Sequence, residues 1–209
     1  MIEVELKFEV PTASRALFQA ELENLPKVRW FGQIYNSDSY YDTANFDCLQ
    51  QAVFIRVRNH EQLEMKFHDR ADPGHTHSTE RSFLLESPRM KEINLLCSRF
   101  ISRWQAANSI EEAFRINGLM EYVHIANKRT QYEHGNLMLS VDDVEGLGNF
   151  FEIETACEEG TEIEQALTRL RGFVSDFAFP ALRPVKTGYV EQWLRLHNPQ
   201  VYQLRKVPA

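Results

Sequence analysis

The chain has 209 residues, 43% of them hydrophobic and 25% charged, with a formal net charge of −7. That length suits one domain with a substantial core, and the acidic balance disfavours nonspecific binding to nucleic acid or anionic lipid. No stretch approaches the roughly 20 consecutive apolar residues of a membrane span. The opening MIEVELKF has neither a basic flank nor an apolar signal core, so a cytoplasmic protein is expected. Cys48, Cys97 and Cys157 are odd in number and far apart, which fits reduced, buried thiols rather than a disulfide framework or a metal site.

In chain order, residues 2–10 read as a strand and 12–24 as a helix, with Thr12 as its N-cap. Strands are expected near 28–42, 52–59, 62–69 and 79–86, with a turn or mobile loop from Asp69 to Ser78 around Pro73 and Gly74. Helical periodicity follows Pro88 to about Ala107, and Ser109-Ile-Glu-Glu112 matches a capping box that opens another helix. Strands return near 121–133, 136–143 and 149–156, joined by turns at Gly135 and at Gly146-Leu-Gly148. A second capping box at Thr161-Glu-Ile-Glu164 heads a helix to about Phe177, and a last helix covers Thr187 to His197. About eight strands of period two predict an α+β fold whose antiparallel strands close into a barrel flanked by helices.

The strands alternate charge with apolar side chains. Glu3, Glu5 and Lys7 share one face of the first strand, against Ile2, Val4, Leu6 and Phe8. Arg56 and Arg58 share a face with Phe54, opposite Val53, Ile55 and Val57; Glu64 and Lys66 oppose Leu63, Met65 and Phe67. Glu80 opposes Phe83, Glu152 and Glu154 stand in front of Phe151 and Ile153, and Asp142 lies opposite Val141. An open sheet with one wet face would accept any small polar residues. The recurring choice of paired acids and paired arginines is different, because like charges two apart on a face repel unless an opposite charge lies between them. A divalent cation would reconcile the glutamates, and a polyphosphate the arginines.

These motifs resemble the CYTH superfamily, the triphosphate tunnel metalloenzymes, which includes thiamine triphosphatases, inorganic triphosphatases and class IV adenylate cyclases. The resemblance rests on an ordered set: Glu3-Val-Glu-Leu-Lys7, Tyr40-Tyr-Asp-Thr43, Phe54-Ile-Arg-Val-Arg58, Glu64-Met-Lys66, Glu80, Lys128-Arg129, Asp142 through Glu154, and Lys186-Thr-Gly-Tyr189. It covers almost the whole chain, and implies a single CYTH-like domain over residues 1–209 with an eight-stranded antiparallel tunnel. It further implies that Lys7, Arg56, Arg58, Lys66, Arg129 and Lys186 bind phosphate oxygens, and that Glu3, Glu5, Asp142, Glu152 and Glu154 hold Mg²⁺ or Mn²⁺. Glu80 would orient cations or serve the metal. Lys7 and Tyr40 match a lysine–tyrosine pair that assists water activation, although Tyr40 fits equally as an ordinary packed tyrosine.

The activity implied is metal-dependent hydrolysis of thiamine triphosphate or inorganic triphosphate, releasing orthophosphate. A class IV adenylate cyclase or a non-catalytic polyphosphate-binding module are the alternatives. The retained Lys186 favours hydrolysis, and Phe54 could supply an apolar surface for an organic group. Trp30, Trp104 and Trp193 read as core or rim residues. The histidines show no metal-site spacing, with His75 and His77 in a flexible loop. The partner expected is a small triphosphate, acting on a monomer or homodimer, with no nucleic acid or membrane.

Overall fold

A computed structural model describes residues 2–68, 76–158 and 162–205. The strands are β1 (Ile2–Val10), β2 (Arg29–Asp42), β3 (Phe54–Arg58), β4 (Gln62–Phe67), β5 (His77–Leu84), β6 (Met120–His134), β7 (Leu137–Val144), β8 (Gly148–Cys157) and β9 (Arg183–Val185). The helices are α1 (Arg15–Glu23), α2 (Met90–Cys97), α3 (Ile110–Ile116), α4 (Ile163–Phe177), α5 (Tyr189–His197) and α6 (Pro199–Tyr202). The strand order is β5-β4-β3-β2-β6-β7-β8-β1, and β5 pairs back onto β1. The eight strands therefore close into the expected antiparallel barrel, with short β9 added beside β1. Closure removes the sheet edges that would otherwise offer unpaired backbone groups.

The described residues divide into two compact units: residues 2–36, 76–78, 126–158 and 162–189 form one, and residues 37–68, 79–125 and 190–205 the other. In the first, Val4, Phe8 and Val10 of β1 pack with Leu139, Val141, Phe151 and Ile153 of β7 and β8 against Phe18 and Leu22 of α1 and Leu167 and Leu170 of α4. Phe18 is fully buried and meets Phe151, Phe177 and Phe179 edge-on at 5.1–5.4 Å. In the second, Val53, Ile55, Val57, Leu63, Met65 and Phe67 pack against Ile93 and Leu96 of α2, with Phe114 of α3 at the margin. The apolar faces read from the sequence are thus the helix-covered faces. The charged faces are left to the opposite side of each strand.

Local chemistry explains the turns. Arg58 pairs with Gln62 across a three-residue turn in which Asn59 and His60 both have positive φ, at 54° and 55°, and the Glu61 amide donates to the Arg58 carbonyl. That left-handed pair matches strand twist, and asparagine tolerates it well. At the β6–β7 turn Gly135 takes φ of 63°, a conformation that costs glycine nothing. Ser109 caps α3 as expected: its hydroxyl accepts from the Glu112 amide at 3.1 Å, and the Glu112 carboxylate accepts from the Asn108 amide at 2.8 Å.

Five elements differ from expectation. Thr12 opens a short 3-10 turn instead of capping the first helix, so α1 begins at Arg15. The helix after Pro88 stops at Cys97 rather than Ala107. There Asn94 takes over, bonding the backbone and the Trp104 indole of the segment that follows. Residues 183–185 form a strand whose three residues are too few to show a period, and the last long helix begins at Tyr189 instead of Thr187. His77 opens β5 rather than lying in a loop. The expected loop centred on Pro73, Gly74 and His75, and the Thr161 cap, lie outside the described residues.

Candidate functional site

In the first unit, antiparallel register builds a charged row. Glu5 of β1 stands opposite Glu154 of β8, and Lys7 opposite Glu152. Arg129 of β6 stands opposite Asp142 of β7, and Ser140 next along β7 pairs with Glu152. The side chains close the gaps. The Lys7 ammonium lies 2.9 Å from Glu152. The Arg129 guanidinium grips Asp142 with two donors, at 2.8 and 2.6 Å, and also donates to Glu152. Tyr189, at the start of α5, donates its hydroxyl to Asp142 at 2.7 Å, while Lys7 sits 4.2 Å above its ring.

This cluster is desolvated, with Asp142 wholly buried and the Lys7 side chain 9% exposed. Burial by itself would push Glu152 upward, but Lys7 and Arg129 outweigh it and hold that carboxyl well below the usual carboxylate range. Burial and then the Asp142 and Glu152 charges push the Tyr189 phenol well up, so it remains a donor.

Farther along the same face, one carboxylate oxygen from each of Glu3, Glu5 and Glu154 lies within 4.8 Å of the other two. Glu154 is pushed up to about 8, first by burial and then by the neighbouring glutamates, with Arg129 opposing. Three oxygens so close, on groups that repel one another, fit a hard divalent cation, which prefers carboxylate ligands. Asp142 and Glu152, also expected among the metal residues, lie in ion pairs with Arg129 and Lys7.

The second unit carries a differently balanced cluster. Register sets Tyr40 of β2, Arg56 of β3 and Glu64 of β4 in one row, Asp38 and Arg58 in the next, and Phe54, Lys66 and Glu80 in a third. Arg58 is bidentate to Asp38, at 2.8 and 2.7 Å. Arg56 donates to Glu64 at 2.6 Å, to Glu80 at 3.1 Å and to the Tyr40 hydroxyl at 3.3 Å. Glu80 thus accepts a bond from Arg56. Burial works against the Arg56 charge, yet its acidic and phenolic neighbours raise it well above the ordinary value.

The Tyr40-Tyr-Asp-Thr43 motif splits by face. Tyr40 joins the arginines, whereas buried Asp42 accepts from the backbone amides of Thr43, Cys48 and Leu49 and fixes the following turn. Tyr41 packs on Phe114. Phe54 is half-buried on the arginine face, and Lys186 is exposed just past β9.

Two participants were not singled out from sequence. Asp38 lies two residues before Tyr40, so strand alternation alone could have placed it on that face. Tyr189 stands in the sequence only as the last residue of the Lys186-Thr-Gly-Tyr189 motif, with no role given to it, because the bond from its hydroxyl to Asp142 is made 47 residues away in sequence.

A closed antiparallel barrel whose inner strand faces carry carboxylates and cations defines the class of protein. The CYTH domain family matches residues 1–183, and the chain belongs to that family. Among relatives, a Methanocaldococcus jannaschii protein named as a candidate adenylate cyclase is 20% identical over 193 residues, covering 91% of this chain and 98% of that one. A Pyrococcus horikoshii structure superposes with a TM-score of 0.65 at 20% identity, covering 93% of this chain and 99% of its own. A Hippeastrum adenylyl cyclase candidate, described as having a dominant triphosphatase activity, gives 0.59 at 20% identity, covering 93% and 95%.

Proposed function

We propose that this chain hydrolyses a triphosphate, releasing orthophosphate, with a divalent cation held by Glu3, Glu5 and Glu154. The observation that carries this reading is the convergence of those three carboxylates on the sheet face that also bears Lys7 and Arg129. A phosphate-binding module without chemistry would gain nothing from acids beside an anionic ligand, whereas metal-assisted phosphoryl transfer requires both signs of charge. Mg²⁺, or Mn²⁺ in its place, would supply charge neutralisation and Lewis acidity at the phosphoanhydride oxygens.

The chain's own residues do the positioning. Lys7 presents its ammonium between Glu152 and the Tyr189 ring, and Arg129 is locked by Asp142 and Glu152. Donors held in this way do not reorganise as negative charge develops, which is where electrostatic catalysis gains most. Arg56 and Arg58, steadied by Asp38, Glu64 and Glu80, offer guanidinium forks to phosphate oxygens in this reading, with Lys66 and Lys186 as further cations. Tyr40, bonded to Arg56, is a positioning group in this reading.

Inorganic triphosphate and thiamine triphosphate are the substrates proposed, with the thiamine triphosphatase-like members as the nearest functional model. The names of the relatives favour a second reading, ATP cyclisation to cyclic AMP and pyrophosphate; the dominant triphosphatase activity described for the Hippeastrum protein supports hydrolysis. The test is a panel of inorganic triphosphate, thiamine triphosphate and ATP with Mg²⁺ and with Mn²⁺, measuring orthophosphate, pyrophosphate and cyclic AMP separately. Metal-dependent orthophosphate release, abolished by EDTA, is expected. Pyrophosphate appearing with cyclic AMP would replace hydrolysis by cyclisation, and no turnover of any of the three would remove the reading.

A further inference from the structure

The first half of β2 is an edge without the usual protection. β2 has two neighbouring strands, β3 and β6. The β3 pairing covers Asp38 to Tyr41 and ends there. Just beyond it the Asn59 amide donates to the Ser37 carbonyl, and the Ser37 amide donates to the Asn59 side chain, both at 2.8 Å. Residues 29–36 keep β6 on their other side, where the Gln33 amide donates to the Thr130 hydroxyl at 3.0 Å. Among the described residues no strand pairs with their remaining edge. Backbone groups alternate in direction along a strand, so Phe31, Gln33 and Tyr35 aim their N–H and C=O groups to the same side as Ser37, at that empty edge.

Both faces of this segment also meet water. Trp30 (67% exposed) and Ile34 (43%) stand on one face, Phe31 (56%) and Tyr35 (57%) on the other. Sheet edges are ordinarily blunted by charge, proline or a covering loop, yet residues 30–37 contain neither a charged residue nor a proline. Apolar surface of this extent on an unpaired edge marks an interaction site. The geometry points to this edge as the contact with a second copy of the same chain, the two β2 segments pairing antiparallel about a twofold axis at Gln33.

Three observations select a copy as the occupant. The edge is self-complementary: with Gln33 opposite the partner's Gln33, Phe31 meets the partner's Tyr35, and every outward N–H and C=O of these residues finds a mate. Ring faces ring on one side of the sheet. On the other, the partner's Ile34 falls opposite Gly32, where a Cβ would meet nothing within 4 Å and the space is open. Charge agrees, because two chains of net charge −7 approach best through a neutral strand, and the flanking Arg29 falls opposite the partner's uncharged Ser37. The area also suffices. Aromatic side chains bury about 150–250 Å² each, so these three rings, half to two-thirds exposed, bring roughly 350 Å² per copy. Doubled, and with Ile34 and both backbones added, the contact reaches the roughly 1,000 Å² of a specific interface.

The experiment measures the mass of the full chain in concentrated solution by light scattering, for wild type, Gln33→Lys and Gln33→Glu, with folding verified by circular dichroism. Wild type is expected at the mass of two chains. Each variant sets like charges directly opposite across the twofold axis and is expected at the mass of one chain, whereas an equal mixture of the two variants is expected to regain the mass of two. Hydrogen exchange reads the same contact without a substitution: the amides of Phe31, Gln33 and Tyr35 should exchange about tenfold more slowly in concentrated wild-type protein than after dilution. A wild-type chain found at the mass of one overturns the inference, and leaves the strand to a different partner. Two-chain mass kept by both single variants, or a mixture that stays at the mass of one, overturns it equally.

Discussion

The two ionic clusters are built by the same device, strands that alternate charged and apolar side chains, yet they differ in charge balance. In the second unit, Asp38, Glu64 and Glu80 face Arg56, Arg58 and Lys66, so acids and bases match. In the first, Glu3, Glu5, Asp142, Glu152 and Glu154 outnumber Lys7 and Arg129. Asp142 and Glu152 consume both of those cations, and the remaining three glutamates crowd one another. A balanced cluster is stable as it stands. An unbalanced one holds repulsion that a divalent cation would relieve, which is why the metal is proposed for the first cluster and phosphate oxygens for the arginines of the second.

Removing the cation that balances the first cluster should have the largest effect. Arg129→Ala leaves buried Asp142 with the Tyr189 hydroxyl and no cation, and Glu152 with Lys7 alone, and a loss of about 3–5 kcal/mol is expected, read as the shift in a urea midpoint. Arg58→Ala, whose side chain is 24% exposed and whose Asp38 partner keeps Arg56 at 3.4 Å, should cost less than half as much. Equal losses would erase the distinction between the clusters.

Glu5→Gln is expected to lower triphosphate turnover about 100-fold or more, equivalent to about 2.7 kcal/mol of transition-state stabilisation, with the fold retained. Arg58→Ala should also remove most turnover, but by raising KM, and extra Mg²⁺ should not rescue it. Titrating Mg²⁺ against both variants would show whether the clusters divide metal holding from phosphate holding. Undiminished activity in either variant would remove that cluster from the site.

The unbalanced cluster should also give the metal-free protein a characteristic pH response. Glu154, pushed up to about 8 by burial and by Glu3, binds its proton more tightly folded than unfolded. The native state therefore holds more protons than the unfolded state between the ordinary glutamate value, about 4.3, and 8, and stability declines as pH rises through that window. Glu152 has the opposite sign: its depressed value contributes stability at neutral pH that is lost only in acid. Melting temperature measured in EDTA should fall from pH 5 toward pH 8, and Mg²⁺ should restore it most at the alkaline end. Glu154→Gln is expected to flatten both responses. A slope of the same size in that variant would place the titration elsewhere.

The smallest effect is expected at Asp42→Asn. The side chain still offers one carbonyl oxygen to the amides of Thr43, Cys48 and Leu49, so a loss of about 1–2 kcal/mol and unchanged metal dependence are expected from thermal melts with and without Mg²⁺. A larger change in metal response than in stability would move Asp42 from turn anchor to site residue.

Strand alternation made the faces legible before any coordinates. Val4 and Phe8 went to the core and Glu5 and Lys7 away from it because a strand has only two faces and one of them is covered by helices. The hairpin at Asn59-His60 and the cap at Ser109 are equally local, set by backbone sterics and by one hydroxyl. The early end of α2 was not legible, because the residues to Ala107 keep an apolar rhythm while the Asn94 side chain supplies partners to a non-helical segment.

Sequence by itself determined which side chains could share a face and which residue types were on offer for binding phosphate and metal. Tertiary structure decided the pairing: register put Glu5 opposite Glu154 and Lys7 opposite Glu152, and the docking of α5 brought Tyr189 to Asp142. The physical reason is range. Alternation acts over two residues, whereas which acid neutralises which base depends on strands more than a hundred residues apart meeting in a single register, and Coulomb energy in a desolvated cluster turns on separations of an ångström or two.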